Sequence, residues 1–198
     1  QDDAIKAASR KLLEMEGEVA KIRRIVKEGE KYKSWLKNFR KFGMKGKLDQ
    51  LGEDIFAHFG MGCRSVTKVW MPKGFDLDRC FAQWVRWGHL AQHGKYANNY
   101  DYHKAVWLLN KEEMVENGFL LVKVDQGLVS PIGTLFIERY EEASAVQAQL
   151  ADRKDDIQVV TLRADSASRA ALQAEGMRVA SFGENQCPTL RDYADGVD

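Results

Sequence analysis

The sequence predicts an α/β domain with a mostly parallel sheet flanked by helices, preceded by a helical N-terminal segment. Three observations carry this. From residue 133 onward, strand and helix patterns alternate, the order that builds βαβ units and parallel strands. Ahead of the first strand pattern, apolar residues recur at helical spacing through residues 4–27 and again through 32–42. Charge also divides the chain: residues 1–48 hold 14 Lys and Arg against 7 Asp and Glu, a balance of +7, whereas residues 49–198 hold 16 against 22, a balance of −6. The boundary is therefore placed between a basic amphipathic helical segment, 1–47, and an α/β domain, 48–198.

The 198 residues suffice for one sizeable domain with its own core. A hydrophobic fraction of 44% and a charged fraction of 30% are those of a water-soluble globular chain. No run of eighteen apolar residues is present, so no membrane span is expected, and the acidic start Gln1-Asp2-Asp3 lacks the apolar core of a secretion signal. The three cysteines, Cys63, Cys80 and Cys187, are odd in number and show no CxxC spacing. That argues against a disulfide framework or structural zinc and fits a cytoplasmic protein.

In chain order, Leu12, Met15, Val19, Ile22 and Val26 form one helical stripe, and Tyr32, Trp35, Leu36, Phe39 and Phe42 a second after Gly29. Lysines and Arg40 are interleaved with these aromatics, a composition suited to an anionic partner. No nucleic-acid-binding motif accompanies them, so the reading adopted is packed aromatics beside a solvated basic face. Residues 48–59 predict a helix with Leu51, Ile55, Phe56 and Phe59 on its apolar side. Val66–Met71 predicts a strand closed by Pro72-Lys73-Gly74. Asp76 is a candidate N-cap for a helix over 77–91 carrying Phe81, Trp84 and Trp87. Residues 94–104, polar and aromatic together, predict a loop lining a site, with a short helix near 102–109. Strands are expected at 119–124, 133–140, 157–162 and 177–182, and helices at 141–153 and 166–175, the last stopped by Gly176.

Between the helix of 48–59 and the first strand lies Gly60-Met61-Gly62-Cys63. Two glycines permit a close turn that leaves a thiol accessible and lets backbone N–H groups face developing charge. Cys63 is thus a candidate nucleophile, with Gly62 in its turn and Arg64 and Lys68 as nearby cations. Asn98 and Asn99 are candidate amide donors to a substrate, and His103 a polar group beside it. His89 and His93, four apart, match a helical metal pair, but no third ligand has convincing spacing, so no metal site is assigned.

Leu51-Gly52-Glu53-Asp54-Ile55-Phe56 followed by Phe59-Gly60-Met61-Gly62-Cys63-Arg64-Ser65-Val66-Thr67-Lys68 resembles the nucleophile segment of the acyl-CoA reductase family, within the aldehyde dehydrogenase superfamily. The resemblance extends through Lys95-Tyr96-Ala97-Asn98-Asn99-Tyr100-Asp101-Tyr102, Asn117-Gly118-Phe119-Leu120-Leu121 and Gly127-Leu128-Val129-Ser130-Pro131-Ile132. It continues in Phe182-Gly183-Glu184-Asn185-Gln186-Cys187-Pro188 and Asp192-Tyr193-Ala194-Asp195-Gly196-Val197-Asp198. It covers about residues 48–198 and implies an aldehyde-dehydrogenase-type catalytic domain.

By this resemblance Cys63 attacks an acyl-CoA or other acyl thioester, its own backbone N–H helping to stabilise the oxyanion. The acyl-cysteine is then reduced to an aldehyde with NADP or NAD as cofactor. The family pattern places a cofactor-binding domain ahead of the nucleophile. Here 62 residues precede Cys63, the first 47 match nothing in the family, and no Gly-x-Gly-x-x-Gly follows a strand. The expectation is a catalytic portion, shortened at its C-terminus, that accepts an acyl group without completing the reduction. The alternative is a non-catalytic remnant that binds or scaffolds through its basic N-terminal helices; a homo-oligomer is compatible with either.

Overall fold

The computed structural model describes residues 45–187. The helical stripes expected at 4–27 and 32–42, and the motif after Cys187, lie outside the described residues. The first helix, α1 (Lys45–Phe56), buries Leu51, Ile55 and Phe56 and runs into a 3-10 turn, Ala57–Gly60. Strand β1 (Lys68–Pro72) follows, then α2 (Asp78–Trp84), a 3-10 segment (Val85–Gln92) and α3 (Gly94–Leu109). Next come β2 (Val115–Glu116), β3 (Leu121–Val124), β4 (Thr134–Tyr140), α4 (Ala143–Asp152) and a 3-10 turn (Lys154–Asp156). The described part closes with β5 (Val160–Leu162), α5 (Ser168–Ala174) and β6 (Val179–Ser181).

A four-stranded sheet has the order β1-β4-β3-β2, with β1, β4 and β3 mutually parallel and β2 antiparallel on the edge. The architecture is α/β with a mostly parallel sheet flanked by helices, as expected. One expectation is corrected. Residues 133–182 do not form a single sheet: β5 and β6 pair in parallel as a separate two-stranded sheet. Both edges of β4 are already taken, by β1 and β3, so β5 has no edge of β4 to join. The small sheet makes its own core from Leu150, Val160, Leu172 and Met177, against which Trp70 of β1 packs.

Two helices differ from expectation. Residues 94–104 are not a loop but the first part of α3. Tyr96, Tyr100 and Trp107 are buried, spaced four and seven apart on one helical face, and Tyr100 and Trp107 pack on Leu121 and Phe136. That stripe overrides the turn preference of the asparagines, and Asn99 Nδ2 bonds back to the Lys95 carbonyl at 2.8 Å. The N-cap of α2 is Leu77 rather than Asp76, whose Oδ1 accepts the Asp78 N–H at 3.0 Å from one residue further out, and the α-helix stops at Trp84. Beyond it, apolar residues recur every third position at Phe81, Trp84, Trp87 and Leu90, the period of a 3-10 helix.

Trp84 is completely buried against α1. A Cβ on Gly52 would lie 2.6 Å from Trp84 Cδ1, so only glycine lets the indole seat on the helix. Gly52→Ala is therefore expected to destabilise by about 1–2 kcal/mol, overpacking of about 1–3 kcal/mol outweighing a helix-propensity gain of about 1 kcal/mol. Thermal unfolding followed by circular dichroism reads it; a variant that melts at or above wild type would show that the indole has room to move.

Candidate active site

The chain reaches Cys63 through three successive left-handed residues: His58 (φ 55°), Phe59 (φ 61°) and Gly60 (φ 67°). Side-chain-bearing residues adopt this region at a cost of about 1–2 kcal/mol each, so the turn persists only because its surroundings hold it. Phe59 stacks on the His93 imidazole at 4.1 Å between ring centroids. At Gly60 a Cβ would sit 3.2 Å from the Ile55 carbonyl oxygen.

Past this corner, Gly62–Ser65 closes a small turn around the cysteine. The Ser65 N–H donates to the Gly62 carbonyl at 2.9 Å, and the Gly62 N–H donates to Ser65 Oγ at 3.1 Å. Cys63 at its tip is exposed with a free thiol. The turn lies just ahead of β1, at the amino ends of the parallel strands.

Asp54 secures the turn from behind. It sits on the apolar side of α1 and is fully buried. Its backbone carbonyl accepts the Val66 N–H at 3.0 Å. Its carboxylate accepts the Gly183 N–H at 2.7 Å and the Asn185 N–H at 3.1 Å. Burial pushes the Asp54 carboxyl above the ordinary range, opposed by those two N–H groups and reinforced by Glu53 and Glu184. Asn185, also buried, donates its side-chain amide to the Arg64 carbonyl, and Gln186 Nε2 reaches Ser65 Oγ at 3.4 Å. One residue of α1 thus ties a segment 129 positions away to residues 64–66, which follow the cysteine.

The other sequence-derived candidates are placed as follows. Gly62 is in the turn, and Arg64 beside Cys63 is buried. Lys68 commits its ammonium to Glu138 at 2.9 Å and to the Asp125 carbonyl, inside the sheet, rather than to the thiol. Asn98, Asn99 and His103 all lie on α3. Asn98 is exposed, Asn99 is bonded to its own helix, and His103 leans on Tyr102 and Trp107, its protonation disfavoured by burial. No hydrogen bond or ring contact joins these three to the cysteine turn among the described residues; Asn185 and Gln186 reach it, and His93 reaches the corner before it at Phe59. His89 Nδ1 lies 3.0 Å from the Arg86 carbonyl while His93 is stacked on Phe59, so the two histidines serve separate contacts. Cys80 is buried and its thiol is pushed up to about 12 by desolvation, which makes it inert, whereas Cys187 is exposed.

Asp54, Ser65, Asn185 and Gln186 were not singled out by sequence reasoning. Asp54 alone carried a signal: an acidic residue three positions after Leu51 and next to Ile55, on the apolar stripe of its helix.

Behind the turn is a cavity of about 20 Å³, room for roughly one water. It is lined by Phe56 and Gly60, by Tyr96 of α3 and by Ser130–Thr134. A nicotinamide ring does not fit there, and no described strand-to-helix turn carries a glycine pattern for a pyrophosphate. No described helix is long and apolar enough to cross a membrane. The chain matches no protein-family model, and no curated protein matches it.

Proposed function

We propose that residues 48–198 are the catalytic portion of an acyl-CoA reductase and that Cys63 accepts the acyl group. The observation carrying this reading is an exposed free thiol at the tip of a turn whose every neighbour is held: Gly62 and Ser65 by each other, Val66 by Asp54, Arg64 by Asn185. A thiol that only filled space would be buried, as Cys80 is.

In the proposed step the Cys63 thiolate attacks the carbonyl carbon of an acyl thioester such as acyl-CoA. A new C–S bond forms and the carbonyl π pair moves onto oxygen. Collapse of this tetrahedral species expels the carrier thiolate, which takes up a proton from solvent, and leaves the acyl group on Cys63. Hydride from NADP or NAD would convert such an acyl-cysteine to aldehyde in the family; the step derived for the described residues is the acyl transfer alone.

Incubating the full chain with octanoyl-CoA and mapping the adduct by mass spectrometry tests the proposal. One octanoyl group is expected on the peptide containing Cys63, absent from Cys63→Ala and retained in Cys187→Ala. Equal labelling of wild type and Cys63→Ala, or no labelling of either, refutes it.

A further inference from the structure

We propose that the side-chain amide of Gln186 is a second oxyanion donor for acyl transfer at Cys63, an inference that rests on the acyl-transfer reading above. Tetrahedral intermediates of acyl transfer place a full charge on one oxygen, and sites that stabilise it aim more than one donor at that point. The Cys63 N–H is one such donor, since it meets no acceptor among the described residues. Two other N–H groups of the turn are already engaged, that of Gly62 with Ser65 Oγ and that of Ser65 with the Gly62 carbonyl.

Two polar side chains reach this turn from another part of the chain: Asn185, whose amide donates to the Arg64 carbonyl, and Gln186. A Cβ on Gly62 would lie 3.2 Å from Gln186 Oε1 and 3.7 Å from Nε2, so the amide rests against the residue preceding the nucleophile. Glycine at position 62 is what leaves room for it. The amide is held without being used up. Its bond to Ser65 Oγ, at 3.4 Å, is at the long limit for a hydrogen bond, and Nε2 has a second N–H with no acceptor among the described residues.

Its backbone is fixed more firmly than its side chain. Asn185, immediately before it, is anchored by the Asp54 carboxylate and by the Arg64 carbonyl, and the Cys187 N–H, immediately after, donates to the Glu184 carbonyl at 3.0 Å. A half-buried amide on a pinned backbone, resting against the residue that precedes an exposed thiol, has the preorganisation that makes a donor effective when charge appears. In the transfer step the carbonyl oxygen takes the π pair as the Cys63–carbon bond forms. It accepts hydrogen bonds from the Cys63 N–H and Gln186 Nε2–H, and returns the pair as the carrier thiolate leaves.

The test compares two reactions of Cys63, both in the Cys187→Ala background of the full chain. Acylation by octanoyl-CoA passes through an oxyanion; thiol exchange with 4,4′-dithiodipyridine needs the thiolate but forms none. Gln186→Ala is expected to slow acylation about 100-fold while leaving thiol exchange within about twofold. Gln186→Glu, of equal length but without the N–H, is expected to match it. Acylation of both variants at the unsubstituted rate overturns the assignment and leaves Cys63 as the acceptor. Parallel slowing of both reactions also overturns it, since Gln186 would then act on the thiol or its turn. If the unsubstituted protein is not acylated while thiol exchange proceeds, the acyl-transfer reading itself falls, and the donor role with it.

Discussion

Trp84→Ala lowers the unfolding free energy by about 3–5 kcal/mol, the cost of emptying a fully buried aromatic site. The magnitude follows from what the indole touches. Its ring meets Phe56 edge-on at 5.6 Å and Phe81 at 6.4 Å, and Phe56 in turn packs on Trp87 and Phe119. Its Nε1 donates to the Leu48 carbonyl at 2.9 Å, fixing the ring on α1. These contacts join α1, α2 and the residues leading into β3, so the void has rigid walls and little capacity to collapse. Trp84→Phe separates the contributions: it keeps most of the apolar volume and loses the hydrogen bond, and is expected to cost about 1–2 kcal/mol. Urea unfolding followed by far-ultraviolet circular dichroism measures both without relying on tryptophan emission. An alanine variant within 1 kcal/mol of wild type would mean that the aromatic cluster collapses around the gap. A stability loss of the expected size is a large part of the total of a single domain, about 5–15 kcal/mol.

The same cluster shows which features could be read from the sequence. Leu51, Ile55 and Phe56 advertised α1 because their spacing is the helical period itself, and the β-branched and aromatic runs at 66–71, 119–124 and 133–140 each overlap an observed strand. Local patterns of this kind are visible because the chain next to them is their context. Partnership between strands is not local. Nothing in residues 157–162 tells that both edges of β4 are already occupied, and so the small β5-β6 sheet was unforeseen. Across residues 94–104, Asn98, Asn99 and Asp101 speak for a turn one residue at a time, while Tyr96, Tyr100 and Trp107 speak for a helix only when a core exists to receive them. The site divides in the same way. The glycine-bracketed cysteine was evident from adjacent residues. Its support was not, because Asp54 and Asn185 stand 131 positions apart and show their relation only through hydrogen bonds across the fold.

That support yields the second large effect. Asp54→Ala removes the acceptor of a part-buried backbone N–H at Gly183 and a buried one at Asn185, the buried group costing about 1–3 kcal/mol when left unpaired and the other adding to it. Relief from burying a carboxylate offsets part of this, so a net loss of about 2–4 kcal/mol is expected. The isosteric Asp54→Asn retains one acceptor and adds a pH test. Burial holds the folded-state carboxyl above its ordinary value of 3.8, the two N–H groups pulling the other way and Glu53 and Glu184 adding to the rise. A folded-state pKa above the unfolded value means that the native state binds the proton more tightly. Wild type therefore gains stability from this group as pH falls through the folded pKa toward 3.8, and lacks that gain at neutral pH. Asparagine cannot titrate, and every other ionisable group is common to both proteins. The stability difference in favour of wild type should thus widen as pH is lowered from 7 toward 3.8 in paired urea titrations. A difference that narrows on acidification would place the folded carboxyl below its ordinary range, with the two N–H bonds outweighing burial. Hydrogen exchange locates the loss: in Asp54→Asn the amides of Val66, Gly183 and Asn185 should lose protection together. If 183–187 opens while Val66 stays protected, the cysteine turn stands without the carboxylate, and Asp54 holds only the distal segment.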